Sequence, residues 1–285
     1  MKRFSLLSGL ILALLVTVFS CTQPALEQSA QVPALTFEEF CRGMVQPFEN
    51  DEGTAYLIEG DIIAHSLADV KLYYDALVTP VADSKSSVNV IVSGGKRYAD
   101  IYNTTVRKNI TYKIDTAISS TVRADLQWAL GQWESICGIK FVDLTGTSQT
   151  PLFVIRNATA TEEKNLPGVV ASAFFPSYSK KELILFDDFY NLFANGATFY
   201  GWDQKAVLLH ELGHGIGLRH EFIWTKSWYS SKWTQTGETS SPAYLITTNR
   251  DDYSIMYYPQ YSAYKGNGRF SSGDLQGAVW CYPKN

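Results

Sequence analysis

Hydrophobic and polar positions repeat with two different periods along this chain, and the periods separate its strands from its helices. Ile110-Thr111-Tyr112-Lys113-Ile114 puts an apolar side chain at every second position, as a strand with one buried face requires. Between Thr121 and Ile136 the apolar residues Val122, Leu126, Ala129, Leu130 and Trp133 recur at helical steps, which predicts an amphipathic helix capped by Ser120. Shorter apolar runs predict strands at Ile139 to Leu144, Leu152 to Arg156, Val169 to Phe175 and Leu183 to Phe186. A further helix is expected from its N-cap Asp203 to Ile216, and a last one over Ser272 to Cys281. Near the front, the run Tyr56-Leu57-Ile58-Glu59-Gly60-Asp61-Ile62-Ile63 precedes a helix over Ser66 to Leu77. Strands and helices interleave before residue 203, and past residue 220 the pattern gives way to Trp, Tyr and Ser. The expectation is an α+β fold with a mixed twisted sheet, in two lobes.

The first residues read differently. Lys2 and Arg3 precede an apolar run from Leu6 to Phe19, the order of a signal peptide. That run is shorter than the ~20 apolar residues of a membrane-spanning helix. It ends Val18-Phe19-Ser20-Cys21, which resembles a bacterial lipobox and would make Cys21 a lipid anchor; simple secretion after cleavage nearby is the alternative. Export follows from either. Residues 22–34, rich in Gln, Ala, Ser and Pro, read as a tether. Residues 35–85 form a first segment, closed by the polar stretch Asp83 to Ser87, and residues 86–285 form the main domain.

Composition narrows the function classes. Apolar residues make up 46% and charged residues 18%, so the chain is globular rather than disordered. A net charge of −4 without a basic run leaves no footprint for nucleic acid. Beyond Cys21 stand Cys41, Cys137 and Cys281, an odd set for an exported protein, and spacing does not choose among the three possible pairings.

Three of the four histidines fall within His210-Glu211-Leu212-Gly213-His214-Gly215-Ile216-Gly217-Leu218-Arg219-His220. Positions i and i+4 of a helix lie about 40° apart around its axis, so His210 and His214 face one way and can grip one metal. Gly217 lets the backbone leave the helix in the left-handed conformation and brings His220 round as a third ligand. Three protein ligands leave a position open for catalysis, and Glu211 stands ready as a general base. His65, by contrast, reads as a surface histidine.

Downstream comes Asp252-Tyr253-Ser254-Ile255-Met256-Tyr257-Tyr258-Pro259. The extended histidine motif followed by Ser254-Ile255-Met256 resembles the metzincin zinc peptidases, in which a methionine turn floors the metal. The histidine helix is similar almost position by position to the bacterial dual-action HEIGH metallopeptidases. Further likeness lies in Glu59-Gly60-Asp61-Ile62 and Phe270-Ser271-Ser272-Gly273-Asp274. Glu221 and Tyr258 stand where astacins carry a glutamate and a tyrosine near zinc.

The resemblance implies a metzincin-like fold with an active-site helix and a Met-turn, and zinc held by His210, His214 and His220. It implies peptide hydrolysis by zinc-activated water with Glu211 as base and Tyr258 as oxyanion donor. Met256, Gly217 and Glu221 take structural roles. An extended protein or peptide substrate would bind a monomeric enzyme along an edge strand, for which Val169 to Phe175 is the candidate. Likeness to astacins also implies a Cys137–Cys281 disulfide, with one residue inserted after Cys137. Ile58-Glu59-Gly60-Asp61 is similar to the astacin propeptide motif whose aspartate binds the zinc, so residues 35–85 are a candidate latency segment; a plain turn with Asp61 as a helix cap is the alternative. The competing function is a surface binding or adhesion lipoprotein on a metzincin scaffold with weak or absent catalysis. Glu211 argues against it, because a purely structural metal site does not need that residue.

Overall fold

The computed structural model describes residues 36–78, 91–92, 102–221, 244–245 and 251–284. The expected signal peptide, the tether, Cys21 and the boundary at residues 83–87 lie outside these residues. Helix α1 (Phe37–Met44) starts on a capping box in which Thr36 and Glu39 satisfy each other's backbone N–H groups. An antiparallel sheet follows from β1 (Val45–Asn50), β2 (Gly53–Ile58) and β3 (Ile62–Ala64). Pro47 lies in β1, an edge strand, where a missing N–H is tolerated. Helix α2 (Leu67–Val78) matches the expected span, and its start is tied by Ser66 and Asp69 rather than by Asp61. Strand β4 (Ile91–Val92) pairs with β10 (Tyr244–Leu245).

The main sheet has the order β6-β5-β7-β9-β8. Strands β5 (Ile110–Ile114), β6 (Phe141–Asp143), β7 (Phe153–Asn157) and β9 (Glu182–Leu185) run parallel, and β8 (Ala171–Ser172) is antiparallel at the edge. The expected strand over Val169 to Phe175 shrinks to two residues for a physical reason. Ala173 leaves β9 and pairs with the N-terminal segment instead: its N–H donates to the Asp61 carbonyl at 2.8 Å, and its own carbonyl accepts from Ile63 at 3.0 Å.

Helix α3 (Ser120–Ile136) buries the five apolar residues its period predicted. Its cap is Ser119, not Ser120, because Ser119 holds the extended backbone that lets its hydroxyl accept from Val122 N–H. Helices α4 (Ala160–Asn165) and α5 (Asp187–Leu192) are short. Helix α6 (Gln204–Gly215) is capped by Asp203 as expected and is buried from Ala206 onward. It packs on α3, where the Trp133 indole donates to the Leu209 carbonyl at 3.1 Å. Helix α7 (Ser272–Cys281) closes the fold on a Ser271–Asp274 capping box.

The described residues from Thr36 onward belong to one compact unit. The core is shared: Phe40, Ile58, Ile62 and Tyr73 of the N-terminal segment pack in one cluster with Leu126, Trp133, Leu208 and Met256. The expected Cys137–Cys281 bridge is not formed, and Cys41, Cys137 and Cys281 are thiols. The inserted Gly138 joins the two segments by other means, donating to the Tyr282 carbonyl at 2.7 Å. A Cβ there would lie 2.4 Å from the Pro283 carbonyl oxygen, so the chains meet backbone to backbone. Among the described residues, no helix is long and apolar enough to cross a membrane.

Candidate metal centre

Helix α6 delivers His210 and His214 on one face, and the chain then turns at Gly217, whose φ of 100° belongs to glycine. His220 comes back over the helix end. The three Nε2 atoms converge, at 3.2 Å for His210 to His214, 3.2 Å for His210 to His220 and 3.1 Å for His214 to His220. Zinc–nitrogen bonds of about 2.0–2.1 Å in a tetrahedron would set such nitrogens roughly 3.3 Å apart. The opposite ring nitrogens fix the tautomers. His210 Nδ1 donates to the Ile255 carbonyl at 2.8 Å, His214 Nδ1 to the Leu218 carbonyl at 2.8 Å, and His220 Nδ1 to Glu59 Oε2 at 2.9 Å. With every Nδ1 occupied by an acceptor, the three Nε2 atoms face one point, an arrangement that suits a metal cation. Oxygen Oε2 of buried Glu211 has no hydrogen-bond partner among the described residues, as suits a carboxylate kept for a water. The residues fit a zinc ion.

The methionine turn is built from below. Asp274 accepts from the Ser254 hydroxyl at 2.6 Å and from Ile255 N–H at 2.8 Å, which holds the Ile255 carbonyl under His210. Met256 is buried beside α6, and a Cβ on Gly213 would fall 2.4 Å from its sulfur. Glycine at 213 is therefore what allows the turn to approach the helix. Glu221 is buried; its carboxylate accepts from Asp251 N–H at 2.8 Å, and its backbone N–H donates to the Met256 carbonyl at 2.8 Å. It ties the end of the histidine motif to the turn.

Two acidic residues of the N-terminal segment reach into this centre. The tight bend from β2 to β3 puts Glu59 at φ 54° and Gly60 at φ 100°, and directs both carboxylates inward. Asp61 Oδ2 lies 2.9 Å from His220 Nε2, 3.1 Å from His210 Nε2 and 3.7 Å from His214 Nε2. One ligand atom from each of these four residues falls within 4.8 Å of the others. The Tyr258 hydroxyl donates to the Glu59 carbonyl at 3.1 Å, and its ring lies 4.6 Å from that of His220. Sequence reasoning noted Glu59 only within a motif and missed its partners Arg219 and Tyr73. The available signal was two acids interrupting an otherwise apolar run from Tyr56 to Ile63. His65 is not at the surface as expected, since its side chain is turned into the fold and lies 3.3 Å from Glu182.

Charge is tightly coupled here. Burial works against the Asp61 carboxylate, but His220, His214 and His210 outweigh it and hold it well below the usual range. Burial also disfavours the His220 imidazolium, yet Asp61 and Glu59 push its pKa up to about 9. His214 is lowered to about 4 by burial and by the neighbouring His220. Glu211 is pushed well above the usual carboxylate value, first by burial and then by the Asp61 charge.

Comparison with known proteins fits this geometry. Residues 103–231 match the family model described as Matrixin (Peptidase_M10). Over 105 residues the chain is 32% identical to matrix metalloproteinase-25 of Mus musculus, covering 35% of this chain and 17% of that protein. It is 33% identical over 106 residues to matrix metalloproteinase-17 of Homo sapiens, again 35% of this chain and 17% of that protein. The chain thus spans about a sixth of the length of these curated relatives. Among solved structures, myroilysin overlays with a TM-score of 0.48 at 16% identity, over 68% of this chain and 99% of that one. High choriolytic enzyme 1, a hatching enzyme zinc-protease from Oryzias latipes, gives 0.40 at 15%, over 72% and 98%. Nothing in these matches singles out the dual-action HEIGH family.

Proposed function

We propose that this chain, whose residues 103–231 match the Matrixin family model, is a zinc metalloendopeptidase held latent by its own N-terminal segment. The observation that carries the reading is the convergence of three correctly tautomerised histidines beside a buried glutamate with an unused oxygen. His210, His214 and His220 would hold a zinc ion, with the Asp61 carboxylate beside them in the latent form. When bound, zinc supplies Lewis acidity towards a water and a substrate carbonyl. Glu211 takes the proton of the attacking water and passes it to the leaving amine.

Departure of Asp61 removes one of the two causes that raise the Glu211 pKa, and so moves that residue towards its basic form. The Tyr258 hydroxyl, now bonded to the Glu59 carbonyl beside the centre, would turn to donate to the tetrahedral oxyanion. An extended protein or peptide substrate would align with the edge strand β8 (Ala171–Ser172). Latency therefore rests on the Asp61 side chain at the metal centre.

The test is zinc stoichiometry together with casein cleavage by the full chain carrying Asp61→Ala, with and without Glu211→Ala. Both proteins should bind one zinc, and loss of Glu211 should lower cleavage by about 10²–10⁴-fold. Bound zinc without glutamate-dependent cleavage would refute the enzyme and leave the binding-protein alternative.

A further inference from the structure

Each histidine of the centre needs an acceptor behind it, and the three acceptors do not come from the same part of the chain. His210 and His214 use the carbonyls of Ile255 and Leu218, both within the histidine helix, its exit loop and the methionine turn. His220 uses the carboxylate of Glu59, which belongs to the N-terminal segment. A carboxylate is a stronger acceptor than a carbonyl, and it orients the ring and raises the basicity of the metal-facing nitrogen.

Glu59 is itself held from two sides. Its other oxygen accepts from Arg219 Nη2 at 3.0 Å and from the Tyr73 hydroxyl, which in turn accepts from Arg219. The Arg219 guanidinium also lies over the Tyr73 ring, 4.5 Å from its centroid. All four side chains are buried. A buried guanidinium is tolerated only with a compensating anion, and Glu59 provides one. Tyr73 sits on α2, so two elements of the segment, the bend after β2 and helix α2, converge on the residue before the third histidine and on that histidine itself.

We propose that Glu59 is a positioning residue for His220, and that residues 36–78 are a structural part of the metal centre as well as its plug. The proposal rests on the zinc reading above. Asp61 and Glu59 then have opposite duties on one turn: Asp61 closes the centre, while Glu59 sharpens its third ligand. Removing the whole segment would open the site and weaken its hold on the metal together. Displacing Asp61 alone would open it and leave the metal tightly held.

The experiment measures zinc affinity of the full chain by chelator competition, for wild type, Asp61→Ala, Glu59→Gln and Tyr73→Phe. Glu59→Gln keeps the side-chain shape and removes the charge; it should weaken zinc binding by about 10–100-fold. Tyr73→Phe retains the carboxylate and should weaken it by a smaller factor, which keeps the test decisive if Glu59→Gln does not fold. In the metal-free protein, the His220 Nδ1–H resonance should move in Glu59→Gln, with those of His210 and His214 unchanged. Zinc affinity equal to wild type in both Glu59→Gln and Tyr73→Phe would overturn the proposal. Failure of the wild-type chain to bind zinc at all would instead overturn the peptidase reading.

Discussion

The histidine helix and the Glu59–Asp61 bend meet at one centre, yet they are specified in opposite ways. Residues 204–221 are local: the spacing of His210 and His214, the left-handed Gly217 and the return of His220 follow from helix geometry and one turn. The bend is non-local. Asp61 meets His210 across 149 positions and Glu59 meets His220 across 161, and no short-range rule reports such pairs. The helix supplies metal ligands that need a cation. The bend supplies the carboxylates of Glu59 and Asp61 that meet those imidazoles. A constellation that depends on a period is carried by a short motif, whereas the groups opposite it are set by the fold.

That contrast sets the order of experiments. The largest effect after loss of Glu211 should come from Tyr258, which stands between the two regions. In the Asp61→Ala background, Tyr258→Phe should lower the turnover number on casein by about 10²–10³-fold, the usual cost of one oxyanion donor. An unchanged rate would leave Tyr258 only its contact with the bend.

The next effect concerns how the segment is fastened away from the metal. Glu182 on β9 joins His65 of the segment, at 3.3 Å, to Arg156 at 2.8 Å. Burial alone would raise the Glu182 pKa, but the hydrogen bonds from His65 and Arg156 outweigh it and hold the carboxyl well below the usual carboxylate range. A depressed carboxyl stabilises the fold above its unfolded pKa, and that contribution is lost as pH falls through the folded value. Glu182→Gln should therefore cost about 1.5–3 kcal/mol near neutrality, since His65 and Arg156 each lose a charged acceptor while Arg156 keeps Glu162. Denaturant melts should show the gap to wild type closing as the pH drops further below 4.5. A gap that is constant with pH would contradict the ionic account.

A smaller effect tests a contact remote from both regions. Gly138→Ala places a methyl against the Pro283 carbonyl and should destabilise the chain by about 1–3 kcal/mol in the same melts. Wild-type stability would show that the α3 and α7 ends do not depend on that close approach.

Much of the scaffold was legible because it is periodic. Strand β5, the burial face of α3, the Asp203 cap and the span of α7 all follow from residue spacing and capping chemistry. The edge strand over residues 169–175 was misjudged because Ala173 pairs with Asp61 and Ile63, a tertiary choice invisible to local alternation. The cap of α3 was displaced by one position because Ser119 and Ser120 offer the same hydroxyl and only the backbone angle distinguishes them. Asp61 was visible as a candidate through its motif, but Arg219 and Tyr73 were not, since a buried ion pair leaves no mark on spacing. The disulfide inferred by likeness is not made, Cys137 and Cys281 being thiols.

The most direct measurement compares the wild-type full chain with Asp61→Ala, at equal zinc content, for cleavage of casein. A latch that leaves one molecule in about a hundred open hides activity by about a hundredfold, so Asp61→Ala should cleave faster by a factor of that order. Fully zinc-loaded Asp61→Ala that cleaves no faster than wild type would contradict the account of a peptidase closed by its own N-terminal segment.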